Sequence, residues 1–268
     1  MGATAFHLAQ LNIAKARASL EAPLMAGFVS RLDEINTLAE RSPGFVWRLR
    51  DEAGSDATQI RAFDDPKIIV NLTVWESPEH LRAYAYRSDH AQLIRQRRDW
   101  FEPMSSAYLV LWWIPAGRTP SIEEAKVRLR HLDLKGPSAV AFSFKSAFPA
   151  PTFSQAEIDY DRRRFVTVAL AGAGDAQPGT HFEYRQQGPR VWGSYVGDAV
   201  SNGSFEAQAT TDGVLDMRYQ HTDARGALKQ GVCTTLPSLR DDGRLRLFES
   251  WRWLGSPVSG ESELDERV

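Results

Sequence analysis

The last hundred or so residues of the chain constrain the fold most. From about residue 160 no helical periodicity remains. "FVTVALAG", "THFEYRQQG", "RVWGSYVGD", "GSFEAQATTDG", "VLDMRYQHTD", "QGVCTTLPS" and "RLRLFESWRWLG" are short, alternating segments rich in β-branched and aromatic residues. Gly188-Pro189, Asn202-Gly203, Asp212-Gly213 and Asp242-Gly243 read as the turns between them. Seven or so strands in series predict an antiparallel up-and-down meander that closes into a small barrel, since closure removes exposed edges.

The first half has a different rhythm. "AFHLAQLNIA", "SPGFVWRLR", "KIIVNLTVWE" and "AYLVLWWIP" read as strands. Between the first two lies a helical pattern with Leu24, Phe28, Leu32, Ile35 and Leu38. After the third, a helix starts at Ser77-Pro78. "PSIEEAKVRLRHL" is a last helix, with Ser121 and Glu124 spaced as a capping box. The fold class expected is α+β: a first domain over 1–145, a Pro-containing linker over 146–159 and a β-barrel domain over 160–268.

Composition excludes several classes. The 32 basic and 34 acidic residues are interspersed, with net charge -2, which leaves no cationic footprint for nucleic acid. The single cysteine, Cys233, excludes an intramolecular disulfide and a cysteine zinc cluster; it is expected as a small buried apolar residue. No apolar run approaches the roughly 20 residues of a membrane span, and the N-terminus lacks a signal-peptide layout. A cytoplasmic protein without a membrane partner is the expectation.

Candidate site residues follow from alternation. On the third strand Ile68, Val70, Leu72 and Val74 form an apolar face expected to carry the helices. Ile69, Asn71, Thr73 and Trp75 form the other face, which suits a pocket wall with a few polar groups. Adjacent Trp112 and Trp113 must point to opposite faces; Trp47 alternates with Phe45 and Leu49. Trp47, Asn71, Thr73, Trp75 and Trp112 are the candidate substrate-binding set. Ser88 and Asp89, with Gln92, mark a second helix start that places His90 in a first turn. A helix N-terminus favours the neutral imidazole, which can act as base or ligand. Arg95, Arg97 and Arg98 read as a solvated face, His7 as packed, His80 and His131 as lying on exposed helix faces.

In the barrel, Leu215, Met217, Tyr219 and His221 share one strand face, and Leu247, Glu249, Trp251 and Trp253 another. With both faces inward, Tyr219, His221, Glu249 and Trp251 are ligand candidates. The alternative is a filled barrel in which these groups hydrogen-bond one another.

Residues 5–144, through "FHLAQLNIA", "SPGFVWRL", "IVNLTVWES", "LRAYAYRSDH" and "RQRRDWFEP", resemble a bacterial domain family of unassigned function in the dimeric α/β-barrel superfamily of antibiotic-biosynthesis-monooxygenase type. The resemblance implies a ferredoxin-like domain, a homodimer and a small apolar or aromatic substrate. His90 then serves as base, with Asn71 or Thr73 as hydrogen-bond donor. The implied chemistry is cofactor-independent oxygenation, or cyclisation or isomerisation. Its rivals are a heme enzyme with His90 as axial ligand and a non-catalytic carrier of an apolar ligand. "HFEYRQQG", "VWGSY", "LDMRYQH", "GVC" and "RLRLFESWRW" resemble a small family often labelled N-acetylglutamate synthase. Acetyl transfer does not fit these residues: in "RQQGPR" Pro189 removes an amide donor, and Arg190 stands where a pyrophosphate loop needs a small residue. A lipocalin-like or calycin-like barrel fits them.

Overall fold

A computed structural model describes residues 6–51, 54, 56–87, 97–151 and 158–267. The chain divides into two compact units, Met1–Thr152 and Phe153–Val268.

The first unit runs β1 (Phe6–Lys15), α1 (Ala26–Val29), α2 (Leu32–Arg41), β2 (Phe45–Arg48), β3 (Ile68–Trp75), α3 (Pro78–Arg87), β4 (Leu109–Pro115) and α4 (Ile122–Lys135). Its four strands form an antiparallel sheet in the order β2-β3-β1-β4. The register puts Ala9, Leu11, Val70, Leu72, Val74, Val110 and Trp112 on one face, where Ala125 and Leu129 of α4 cover them. Leu8, Trp75 and Leu111 share the opposite face and pack against Ala39 of α2 and Leu81 and Tyr84 of α3.

The expectation for the helices therefore needs correction. Among the helices of the described residues, only α4 lies on the wholly apolar face; α2 and α3 cover the face that carries Thr73 and Trp75. The polar groups of that face satisfy each other, which allows it to be buried. Trp75 Nε1 donates to Thr73 Oγ1 at 2.9 Å, and Thr73 Oγ1 donates to Gln10 Oε1 at 2.7 Å. Ser121 caps α4 by accepting from the Glu124 amide at 3.1 Å. The Glu124 side chain turns instead to Arg118 and Arg128, a buried ionic triad.

The second unit is a closed antiparallel barrel of eight strands in sequence order. They are β5 (Arg164–Gly172), β6 (His181–Gln187), β7 (Arg190–Gly197), β8 (Val200–Ala209), β9 (Leu215–Asp223), β10 (Leu228–Leu239), β11 (Leu245–Trp253) and β12 (Ser259–Arg267). β12, "SGESELDER", was not among the expected strands, yet it pairs with both β11 and β5 and closes the barrel. One expected turn also moves. Asn202-Gly203 lies inside β8, and the β7–β8 connection is at Asp198-Ala199. Gly203 is glycine for another reason: a Cβ there would stand 2.5 Å from Cζ of Tyr195, whose ring lies flat on it. Tyr219 lies on Gly231, and Trp251 on Gly260, in the same way.

Among the described residues no helix is long and apolar enough to cross a membrane.

Candidate functional site

Tyr160, preceding β5, closes one end of the barrel: it is fully buried and donates its hydroxyl proton to Gly213 O at 2.6 Å. Phe165, Leu215, Leu247 and Leu264 belong to the same core. Toward the other end the aromatic rings lie against the glycines of neighbouring strands rather than across the axis. This leaves a cavity of about 40 Å³. The expected rows from β9 and β11 both face it. Met217, Tyr219, His221, Glu249, Trp251 and Trp253 all line the space. The structure thus brings the four barrel candidates, Tyr219, His221, Glu249 and Trp251, into one cavity.

Asp175, from the β5–β6 connection, reaches the rim. His221 Nε2 stands 2.9 Å from Asp175 Oδ2, and Nδ1 stands 2.8 Å from the Tyr195 hydroxyl. A carboxylate only accepts, so Nε2 carries a proton and donates to Asp175, while the Tyr195 hydroxyl beside Nδ1 also reaches Gln220 O at 3.3 Å. Lys229 Nζ donates to the same Asp175 oxygen at 2.6 Å and lies 5.5 Å from the Trp253 ring centre. The hydrogen bond to Asp175 raises the lysine's pKa above its ordinary value. Both imidazole nitrogens are engaged within the protein, so His221 fixes the wall and has no nitrogen left for a substrate proton.

Glu249 is different. It lies deep in the wall and is 8% exposed. Ser262 Oγ donates to its Oε2 at 2.7 Å, and Thr235 Oγ1 to its Oε1 at 3.5 Å. These partners are dictated by register, since Thr235 and Ser262 stand directly opposite Glu249 on β10 and β12. Burial pushes its pKa up from 4.5 to about 7, with the Ser262 and Thr235 hydrogen bonds opposing the rise. No lysine, arginine or histidine pairs with it among the described residues. Two phenols of this core also lack partners among the described residues. Tyr184 is fully buried with its hydroxyl unpaired, and the Tyr219 hydroxyl makes no hydrogen bond. Cys233 is buried too, which pushes its thiol pKa up. The candidates do not simply bond one another: Glu249 and His221 have separate partners.

In the first unit, His90 lies outside the described residues, as do Ser88, Asp89 and Arg95. Trp75 and Thr73 are buried on one sheet face, and Trp112 is buried on the other, under Arg128 at 5.4 Å. Trp47 packs at the margin of the Trp112 core, and Asn71 is exposed. These five do not share a cavity. Arg97 and Arg98 are exposed. His131, expected on an exposed face, is buried, with Nε2 3.1 Å from Ser138 Oγ. The segment after α4 folds back and covers it. No group of three or more His, Cys, Asp or Glu side chains among the described residues converges as metal ligands do.

Asp175, Tyr195, Lys229 and Ser262 were not anticipated. Tyr195 and Ser262 obey the same alternation as the rows that were; Asp175 sits on a connection, where no periodicity exists to reveal it.

Residues 7–158 match the family model described as a domain of unknown function, DUF3291. Residues 158–267 match the model for avidin-like proteins. No curated protein and no solved structure matches the chain.

Proposed function

The chain belongs to the DUF3291 family, and we propose that its avidin-like barrel is a small-molecule binding domain whose ligand enters beside Asp175 and settles against Trp251 and Glu249. The observation that carries this reading is the way Tyr195, Tyr219 and Trp251 lie on glycines of adjacent strands. A barrel built only for stability would fill its axis with side chains. This one spends glycines to hold rings against the wall and leaves a polar group facing the space. Apolar walls with a few placed polar groups are the usual make-up of a ligand site.

The test uses the full chain and three probes of one size: n-butylamine, 1-butanol and butyrate. Barrel unfolding in urea is followed by labelling of Cys233, the sole cysteine. A ligand of the folded state stabilises by about 1.4 kcal/mol at tenfold excess over Kd. At least one probe raises the midpoint saturably in wild type and not in Met217→Trp, where indole fills the cavity. No saturable rise with any probe refutes the reading.

A second reading concerns the first unit. Its order β2-β3-β1-β4, with helices after β1 and β3, supports kinship with ferredoxin-like α/β-barrel enzymes. On that kinship His90 acts as base on an apolar or aromatic metabolite. A second copy is not needed to bury the sheet, because α4 already covers its apolar face. Loss of turnover in His90→Ala with unchanged substrate affinity is the expected result; unchanged turnover refutes it.

A further inference from the structure

We infer that the barrel's ligand is a primary alkylamine whose ammonium pairs with Glu249. This rests on the binding reading above and adds the ligand's charge.

A carboxyl group in an apolar interior is expensive without a counter-charge. Ser262 and Thr235 supply two hydrogen bonds, and nothing among the described residues supplies a cation. A leucine or methionine at position 249 would fill the same wall at no such cost. The titratable groups facing Glu249 from other elements are Tyr160, Tyr184 (β6), Tyr195 (β7), Tyr219 (β9) and Cys233 (β10). Burial raises the pKa of every one of them, so all are neutral near pH 7. The rim groups Asp175, His221 and Lys229 are committed to one another. Among the described residues, Glu249 is therefore the one carboxyl facing the cavity interior without a partner of opposite sign.

An ammonium supplies what this interior lacks. It has three donors and no acceptor. One goes to Glu249, and the unpaired phenol oxygen of Tyr219 is a ready acceptor for another. The Trp251 ring beside it offers a π-face, which attracts cations. A cavity of about 40 Å³ takes the head of such a ligand, with its chain directed to the mouth. An anion finds the Tyr219 hydroxyl as a donor but faces the Glu249 carboxylate, and among the described residues no lysine or arginine lines the cavity.

The test is calorimetric titration of the full chain with n-butylamine, 1-butanol and butyrate at pH 8 and pH 6, for wild type and Glu249→Gln. An alkylammonium stays protonated at both values, as lysine does. At pH 8 the amine binds at least about tenfold tighter than either analogue. With the Glu249 pKa near 7, the ionised fraction falls about tenfold from pH 8 to pH 6, and amine affinity falls with it. Glu249→Gln removes both the preference for the amine and its pH dependence. Wild type alone supplies the pH test should the variant fold poorly. Equal or tighter binding of 1-butanol or butyrate, or amine affinity indifferent to pH and to Glu249→Gln, overturns the inference and leaves the binding reading standing. No heat from any probe removes both.

Discussion

Replacing Glu249 by glutamine stabilises the barrel at alkaline pH and does so progressively less as pH falls. The side chain keeps its shape and its hydroxyl partners, Ser262 and Thr235; only the ionisation is removed. The folded-state pKa of about 7 stands above the ordinary 4.5. For a raised carboxyl the folded state prefers the proton. No penalty exists well below pH 4.5; it grows as the unfolded chain ionises and levels off above pH 7. A shift of that size corresponds to about 3 kcal/mol at pH 8. About 2.5 kcal/mol of it accrues between pH 5 and pH 8. Cys233, buried inside this barrel, reports its opening. Labelling with a dithiodipyridine through a urea series, at both pH values, gives the midpoint for each protein. With a slope of about 1–3 kcal/mol per molar urea, the gap between variant and wild type widens by about 1 M or more from pH 5 to pH 8. A gap that stays constant, or narrows, shows that Glu249 ionises freely in the folded barrel and refutes the account of its environment.

Three further outcomes follow from the same geometry. Ser262→Ala removes a donor that matters most to the ionised carboxylate. It costs about 1.5–3 kcal/mol at pH 8 and about 1 kcal/mol at pH 5, measured by the same labelling. Gly203→Ala places a methyl 2.5 Å from Tyr195 Cζ; it displaces the ring, breaks the Tyr195–His221 hydrogen bond and lowers barrel stability by about 1–3 kcal/mol. In the first unit, burial alone would raise the Glu124 carboxyl, but Arg128 and Arg118 overcome this and hold its pKa below the ordinary value. Its contribution is present above pH 4.5 and lost as pH falls through the folded pKa. Glu124→Gln takes away the carboxylate that both guanidiniums share, at a cost of about 3–5 kcal/mol in the urea or thermal unfolding of that unit.

Much of the barrel is legible in the amino-acid sequence because a two-residue period leaves a strong trace wherever one face is buried. The rows Leu215–Met217–Tyr219–His221 and Leu247–Glu249–Trp251–Trp253 announce themselves in this way: Leu215 and Leu247 join the packed core and the other six line the cavity. β12 does not, because its inward positions are Gly260, Ser262 and Leu264, two of them without apolar bulk. Those small residues are needed: Trp251 covers Gly260, and Ser262 serves Glu249. The strand is therefore hidden by its fit to the site. Asn202-Gly203 misleads for a related reason. That glycine is a seat for Tyr195, and seats and turns use the same residue. In the first unit, Thr73 and Trp75 look like a pocket wall because the hydrogen bond from Thr73 to Gln10, which completes their pairing, depends on strand register. Register is a tertiary fact, and so is the return of the chain over His131.

The central claim is that a small ligand occupies the barrel interior. The chain has four methionines, and Met217 is the one that lines this cavity. Methyl-13C methionine labelling therefore yields one resonance at the site, with Met25 and Met104 as internal controls in the first unit. Titration with n-butylamine and 1-butanol is predicted to shift the Met217 methyl saturably while the Met25 and Met104 methyls stay in place. A Met217 resonance that does not move at any concentration, or that moves only together with those of Met25 and Met104, contradicts the claim.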